Sequence, residues 1–191
     1  MRIGVLGLQG DFREHLTVLR SLGVEARDVR TRAQLDEIDG LIIPGGESTT
    51  MAYLLEKMGM LSVLRERGAQ GFPIYGTCAG MILLARELND AYPENRLALM
   101  DISVKRNAYG RQRDSFEADL QIKNIGDFHA IFIRAPKIVR VGSGVEILAE
   151  HDGAPVLVRQ KNLLASSFHP ELTGDPRVHK YFLKIVQETQ N

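Results

Sequence analysis

Phe72-Pro73-Ile74-Tyr75-Gly76-Thr77-Cys78-Ala79-Gly80-Met81-Ile82-Leu83-Leu84-Ala85-Arg86 changes character twice in a short span. Residues 72–75 read as a short apolar strand, and residues 81–86 as a helix-like apolar run. Between them lies Gly-x-Cys-x-Gly, the thiol form of the nucleophile elbow. A side chain at either flanking glycine would clash with neighbouring strands, and the nucleophile itself is held in a strained conformation. The turn exposes the sulfur at the carboxyl end of a sheet. It also aims a helix amino terminus at the sulfur, which favours thiolate over thiol. A buried cysteine is more often inert core, so the elbow needs support from the rest of the chain.

Upstream, strand and helix signals alternate. Residues 3–8 form a buried-strand run. Residues 11–22 carry Phe12, His15, Leu16, Leu19 and Leu22 near helical spacing, and Gly23 stops them. Strands follow at 24–29 and 40–43, with a short helix at 33–36. The third strand ends in Pro44-Gly45-Gly46-Glu47-Ser48, and helices at 49–57 and 61–67 lead to the strand at 73–75. This β-α-β-α pattern predicts a parallel sheet covered on both faces. Downstream, residues 97–104, 115–122, 130–134, 145–151 and 155–159 are short β runs separated by turns. A strand at 163–168 and a helix at 175–188, with Pro176 in its first turn, close the chain. The expectation is an α/β fold: a three-layer, open, mostly parallel sheet with helices on both faces and β-hairpins added in the second half. With no repeat, linker or low-complexity tract, residues 1–191 read as a single domain.

Lys+Arg and Asp+Glu number 24 each, so no global charge bias points to nucleic acid or a membrane surface. The apolar run at the amino terminus is far too short for a signal peptide or a membrane span. One cysteine permits no internal disulfide, which fits a reducing compartment. These features predict a cytoplasmic protein.

A nucleophilic cysteine needs a base, and the base an orienting group. Of five histidines, His15 and His179 fall inside helices, His129 near a turn and His151 at a strand end, and a structural or solvent role suits each. His169 differs, because the strand at 163–168 runs into His169-Pro170-Glu171 and Pro170 ends regular pairing. In an extended segment residues two apart point the same way, which would put the Glu171 carboxylate beside the imidazole. The catalytic set is therefore Cys78, His169 and Glu171. An oxyanion needs two preorganised donors; the amide of Ala79 and a donor at Gly46, in the Gly45-Gly46 turn, are the candidates, with Ser48 capping the next helix.

Pro-Gly-Gly, Gly-x-Cys-x-Gly and His-Pro-Glu in this order resemble the triad (class I) glutamine amidotransferases. Within them the chain resembles the glutaminase subunits of pyridoxal 5′-phosphate synthase over essentially its whole length. The diagnostic stretches are residues 4–11, 41–50, 106–112, 114–117 and 132–136; a glycine that the group would carry at Ala98 is missing. The resemblance implies a flavodoxin-like fold and hydrolysis of L-glutamine to glutamate and ammonia. The ammonia would pass to a separate synthase subunit that builds the cofactor from a pentose phosphate and a triose phosphate. It also implies a glutamine site at Gly46, Glu47, Ser48, Arg106, Ile133 and Arg134, with no metal or cofactor. An arginine suits the substrate carboxylate because it binds bidentately. Activity should depend on the partner, with the glycine turn and the nearby Gln9-Gly10 segment as the switch. A thiol hydrolase with the same elbow, an amidotransferase serving another acceptor and a non-catalytic binder are the competing readings.

Overall fold

The computed structural model describes residues 1–89, 95–106 and 115–190. In the first half β1 (Arg2–Leu6), α1 (Phe12–Ser21), β2 (Glu25–Val29), α2 (Arg32–Leu35), β3 (Gly40–Ile43), α3 (Ser48–Lys57), α4 (Leu61–Ala69), β4 (Ile74–Thr77) and α5 (Ala79–Leu84) alternate as the pattern requires. The second half is β-rich: β5 (Ala85–Leu88), β6 (Met100–Lys105), β7 (Ser115–Ile122), β8 (Gly126–Ile133), β9 (Lys137–Val141), β10 (Glu146–His151), β11 (Ala154–Gln160) and β12 (Leu163–Ser166). A 3-10 turn (Pro170–Leu172) and α6 (Arg177–Gln190) finish it.

The main sheet has seven strands in the order β10-β11-β12-β4-β3-β1-β2. From β12 to β2 every pairing is parallel, and β10 and β11 add an antiparallel hairpin to one edge. The parallel part, 2-1-3-4 and then β12, is the flavodoxin-like order, whose ligand crevice lies beyond the carboxyl ends of the strands near the β1/β3 switch point. β3, β4 and β12 are buried at every residue, as parallel strands covered on both faces must be. Alternation splits their side chains between two cores. Leu41, Ile43 and Ile74 pack with Met51, Leu55 and Leu83 on the α3–α5 side. Ile42 and Tyr75 pack with Leu16, Leu19, Phe168 and Phe182 on the α1 and α6 side. The added β elements are the β7–β8 hairpin and a small sheet ordered β5-β6-β9.

Several local expectations shift. The apolar run after the elbow is helix only through Leu84; Ala85 to Leu88 is a strand paired in parallel with β6. Residues 97–99 precede β6 rather than belonging to it, and Ala98 sits at φ 53. That left-handed backbone is why a glycine is expected there. His129 lies within β8 rather than near a turn. β9, at 137–141, is a strand where none is expected. Among the described residues no helix is long and apolar enough to cross a membrane. Of the resemblance stretches, residues 107–112 and Asp114 lie outside the described residues.

Candidate active site

Cys78 joins β4 to α5 at φ 48 and ψ −101, a left-handed backbone for a residue with a side chain. The surrounding fold holds it there: its N–H donates to the Ser166 carbonyl of β12 at 2.8 Å. A Cβ at position 80 would strike the Ile43 carbonyl of β3, so a neighbouring strand demands that glycine. At position 76 a Cβ would instead meet the Gly80 carbonyl carbon at 2.5 Å and Leu84 Cδ1 at 2.8 Å, so that glycine makes room for the elbow's own helix. The thiol is 7% exposed, and its weak S–H donor faces the Ile133 carbonyl at 3.8 Å.

His169 leaves the end of β12, and its N–H donates to the Ile131 carbonyl of β8 at 2.8 Å. Its Nδ1 is 2.7 Å from Glu171 Oε1. The segment is not extended as expected: Pro170 opens a 3-10 turn, and that turn brings the carboxylate round to the ring. An ionised carboxylate only accepts hydrogen bonds, so Nδ1 carries the proton and Nε2 is the atom left for the thiol. Nε2 has no aligned hydrogen bond among the described residues. Burial pulls the His169 pKa down, but Cys78 and Glu171 outweigh it and hold the ring well above its ordinary value of 6.5. Burial raises the pKa of Glu171, against the pull of His169.

A cavity of about 370 Å³ opens over this pair. Cys78, His169, Ala79, Gly46, Glu47, Ser48, Arg106, Ile133 and Arg134 all line it, with Glu171 behind His169. Every residue expected in the site is thus either on its wall or braced against it. Gly46 has φ 148 and Gly10 φ 95, and the two turns interlock: the Asp11 N–H donates to the Gly45 carbonyl at 3.1 Å, and the Glu47 N–H to Gln9 Oε1 at 2.8 Å. The Gln9-Gly10 segment therefore lies against the glycine turn. Arg134 sits at φ 45, a strained position of the kind that gathers at ligand sites.

The cap of α3 is Glu47 rather than Ser48. Its carboxylate accepts from the Thr50 N–H at 2.7 Å, Thr49 Oγ1 at 2.6 Å and Thr50 Oγ1 at 2.9 Å. Burial would raise its pKa, but these bonds hold it down to about 2. Gln9, Asp11 and Ile82 also line the cavity, and Asp11 Oδ2 is 3.7 Å from His169 Nδ1. Asp11, His169 and Glu171 bring three potential ligand atoms within 4.8 Å of one another. The 2.7 Å contact between Nδ1 and Oε1 commits those two atoms to a hydrogen bond, the arrangement an orienting carboxylate needs.

The other histidines divide. His129 is exposed and paired with Asp119 and Glu117, and His151 stacks on Phe116 and Phe132. His15 and His179 are fully buried, so no solvent role holds for either, and His15 lies against Glu171. The signal for that burial is the Leu16/Leu19 stripe of α1; what it faces is set by residues far along the chain. A larger cavity of about 450 Å³, bordered by Arg159, Arg177, Lys180 and Lys184, has no cysteine or histidine among the described residues that line it.

Residues 5–188 match the model of the SNO glutamine amidotransferase family. The chain is 53% identical over 189 residues to the pyridoxal 5′-phosphate synthase subunit PdxT of Thermosipho africanus, covering 98% of this chain and 100% of that one. It is 59% identical over 187 residues to the PdxT of Pseudothermotoga lettingae, covering 97% and 96%. A crystal structure titled as a glutamine amidotransferase superposes with a TM-score of 0.93 at 52% identity, covering 97% and 98%. The chain belongs to the SNO glutamine amidotransferase family.

Proposed function

We propose that residues 1–191 act as one glutaminase domain that hydrolyses L-glutamine to L-glutamate and ammonia through Cys78, His169 and Glu171. The ammonia passes to a separate synthase subunit, which builds pyridoxal 5′-phosphate from ribose 5-phosphate and glyceraldehyde 3-phosphate. The observation that carries this reading is Cys78, strained at φ 48, sharing one cavity with a histidine whose far nitrogen is 2.7 Å from a buried carboxylate. The family and the PdxT relatives support the substrate and the pathway. A cytoplasmic location follows from the same pathway.

Cys78 gives its proton to His169 Nε2, and the thiolate attacks the side-chain amide carbon of glutamine. The oxyanion is received by the amides of Ala79 and Gly46, two residues that line the cavity with the thiol. His169 protonates the departing ammonia, leaving a γ-glutamyl thioester. It then takes a proton from water, which hydrolyses the thioester and restores the thiol. Glu171 keeps the proton of His169 on Nδ1 throughout and stabilises the imidazolium. Arg106 and Arg134 supply positive charge for the substrate carboxylate. Asp11 and Glu47 are the carboxylates on the cavity wall among the described residues. Glu47 is already held by Thr49 and Thr50, so it acts mainly by fixing the turn that carries Gly46.

The test measures glutamate and ammonia from glutamine, with the chain alone and with the synthase subunit. Cys78→Ala should abolish both products while the protein keeps its melting temperature, and the parent should run faster with its partner. Full activity in Cys78→Ala would sink the assignment, and equal rates with and without the partner would count against gating. Release of neither product from glutamine by the parent complex would favour a thiol hydrolase instead.

A further inference from the structure

The catalytic steps leave one buried polar cluster unused. His15 on α1 and His179 on α6 are both fully buried, and His15 Nδ1 is 2.9 Å from His179 Nε2. The other nitrogen of His15, Nε2, is 3.3 Å from Glu171 Oε2 and 3.3 Å from Thr77 Oγ1, the residue just before the nucleophile. Glu171 Oε2 has no aligned hydrogen bond to any described group, His15 included, and neither has His179 Nδ1; the contact of His15 Nε2 that is a hydrogen bond is the one to Thr77 Oγ1. The remaining ionisable groups around the cluster are His169, with Asp11 beyond it, and Tyr75, whose hydroxyl is held by Ser166 at 2.9 Å.

The protons of this chain can be placed. Burial, then His179 and His169, drive the His15 pKa well below 6.5, and burial lowers that of His179 to about 4. Both rings are neutral at pH 7, each with one N–H and one lone pair. With the His15 proton on Nδ1, the lone pair of Nε2 could accept from the Thr77 hydroxyl but would also face the Glu171 carboxylate, and His179 would have to bury an unpaired N–H. With His179 Nε2–H donating to His15 Nδ1, the His15 proton sits on Nε2, between Thr77 Oγ1 and Glu171 Oε2, each 3.3 Å away. The repulsion disappears, and the only group left unpaired is an acceptor, His179 Nδ1. The second arrangement is therefore the stable one.

We propose that His15 is a positioning residue for the acyl transfer: its Nε2–H anchors the second oxygen of Glu171 so that the first stays aligned on His169, and His179 sets the His15 tautomer. The proposal rests on the reading of Cys78, His169 and Glu171 as the catalytic set. A buried carboxylate with one donor is poorly stabilised and free to rotate about its last torsion. A second donor keeps it ionised and in plane with the imidazole, as outer-shell partners fix the orientation of metal-ligating histidines.

The test compares His15→Leu, His15→Asn and His15→Gln in the full chain with its synthase subunit, following glutamine hydrolysis across pH. Glutamine can place an amide donor near the position of Nε2, whereas asparagine reaches only the Nδ1 position. The expected result is a fall in kcat of roughly tenfold to a hundredfold for His15→Leu and His15→Asn, with KM changed less than about twofold. The acid limb of kcat should move to higher pH as Glu171 becomes easier to protonate, and His15→Gln should recover most of the rate. In a Glu171→Ala background His15→Leu should cost less than about a further twofold. Parent-like kcat in a folded His15→Leu, an unshifted acid limb, or a full additional loss on top of Glu171→Ala would each overturn the proposal. If His15→Leu does not fold, equal rates for His15→Asn and His15→Gln overturn it. Cys78→Ala, measured alongside, separates the two levels. Activity there removes the catalytic set itself, whereas a dead Cys78→Ala beside a parent-like His15→Leu removes only the role of His15.

Discussion

Gly45 shows how little room the His169 ring has. A methyl group there would overlap His169 Cε1 and lie 3.0 Å from Nδ1, while the Gly45 backbone is not in the left-handed region. Alanine is therefore allowed by the main chain and opposed only by the imidazole. Gly45→Ala should fold and lower glutamine turnover about a hundredfold, because a ring displaced by about an ångström no longer meets the thiol. Steady-state kinetics with the partner subunit checks this, and an unchanged kcat would contradict the ring position. At this scale the sequence was readable wherever a residue's role is local. Cys78 in its Gly-x-Cys-x-Gly turn and His169 near Glu171 stand out by residue type, although the extended spacing expected for His169 and Glu171 is replaced by a 3-10 turn. His15 does not, since its partners Thr77 and His179 lie 62 and 164 residues away. Glu47 was half-legible: Gly-Gly-Glu-Ser announces a capped helix, but the longer carboxylate reaches Thr50 from one position earlier than the serine.

The parallel elements were legible because each is either a buried apolar run or an amphipathic stripe. The small β5-β6-β9 sheet was not. Ala85-Arg86-Glu87-Leu88 continues a helical apolar run without a break, and only pairing with β6 turns it into a strand. Ala98 records the same limit from the other side. The loop entering β6 is fixed by two hydrogen bonds to the end of α5, from the Ala98 N–H to the Leu83 carbonyl at 3.1 Å and from the Leu99 N–H to the Leu84 carbonyl at 2.9 Å. These bonds hold Ala98 at φ 53, where a side chain costs roughly 1–2 kcal/mol. Glycine would relieve that cost but give back about 0.4–1 kcal/mol of unfolded-state entropy. Ala98→Gly should therefore stabilise the protein by up to about 1.5 kcal/mol and raise the melting temperature by up to roughly 6 °C, with glutaminase kinetics unchanged. A lower melting temperature would show that the loop gains more from the alanine methyl than its backbone loses.

For the whole molecule, the sheet separates two cores, and the core on the α1 and α6 side contains titratable groups. His179 is neutral in the fold, with its pKa lowered to about 4 by burial, and His15 is shifted the same way by burial and by its histidine neighbours. In the unfolded chain both titrate near 6.5. Above pH 6.5 neither state binds these protons and stability is at its full value; as pH falls from 6.5 toward about 4 the unfolded chain takes up the His179 proton first and stability is lost, and His15 acts in the same direction. His169 works in the other direction. Its raised pKa contributes stability below pH 6.5, which is lost as pH rises through the folded value, so it adds no slope on the acid side. Glu171, raised by burial, gains on acidification and partly offsets the histidine loss. Replacing one histidine isolates its share. In urea unfolding followed from pH 7.5 to 4, the stability of His179→Leu should fall less steeply than that of the parent, with a difference growing to on the order of 3 kcal/mol at the acid end and constant above pH 6.5. Parallel curves across that window would mean that His179 is not buried neutral, and the proton placement that aims His15 at Glu171 would fail with it.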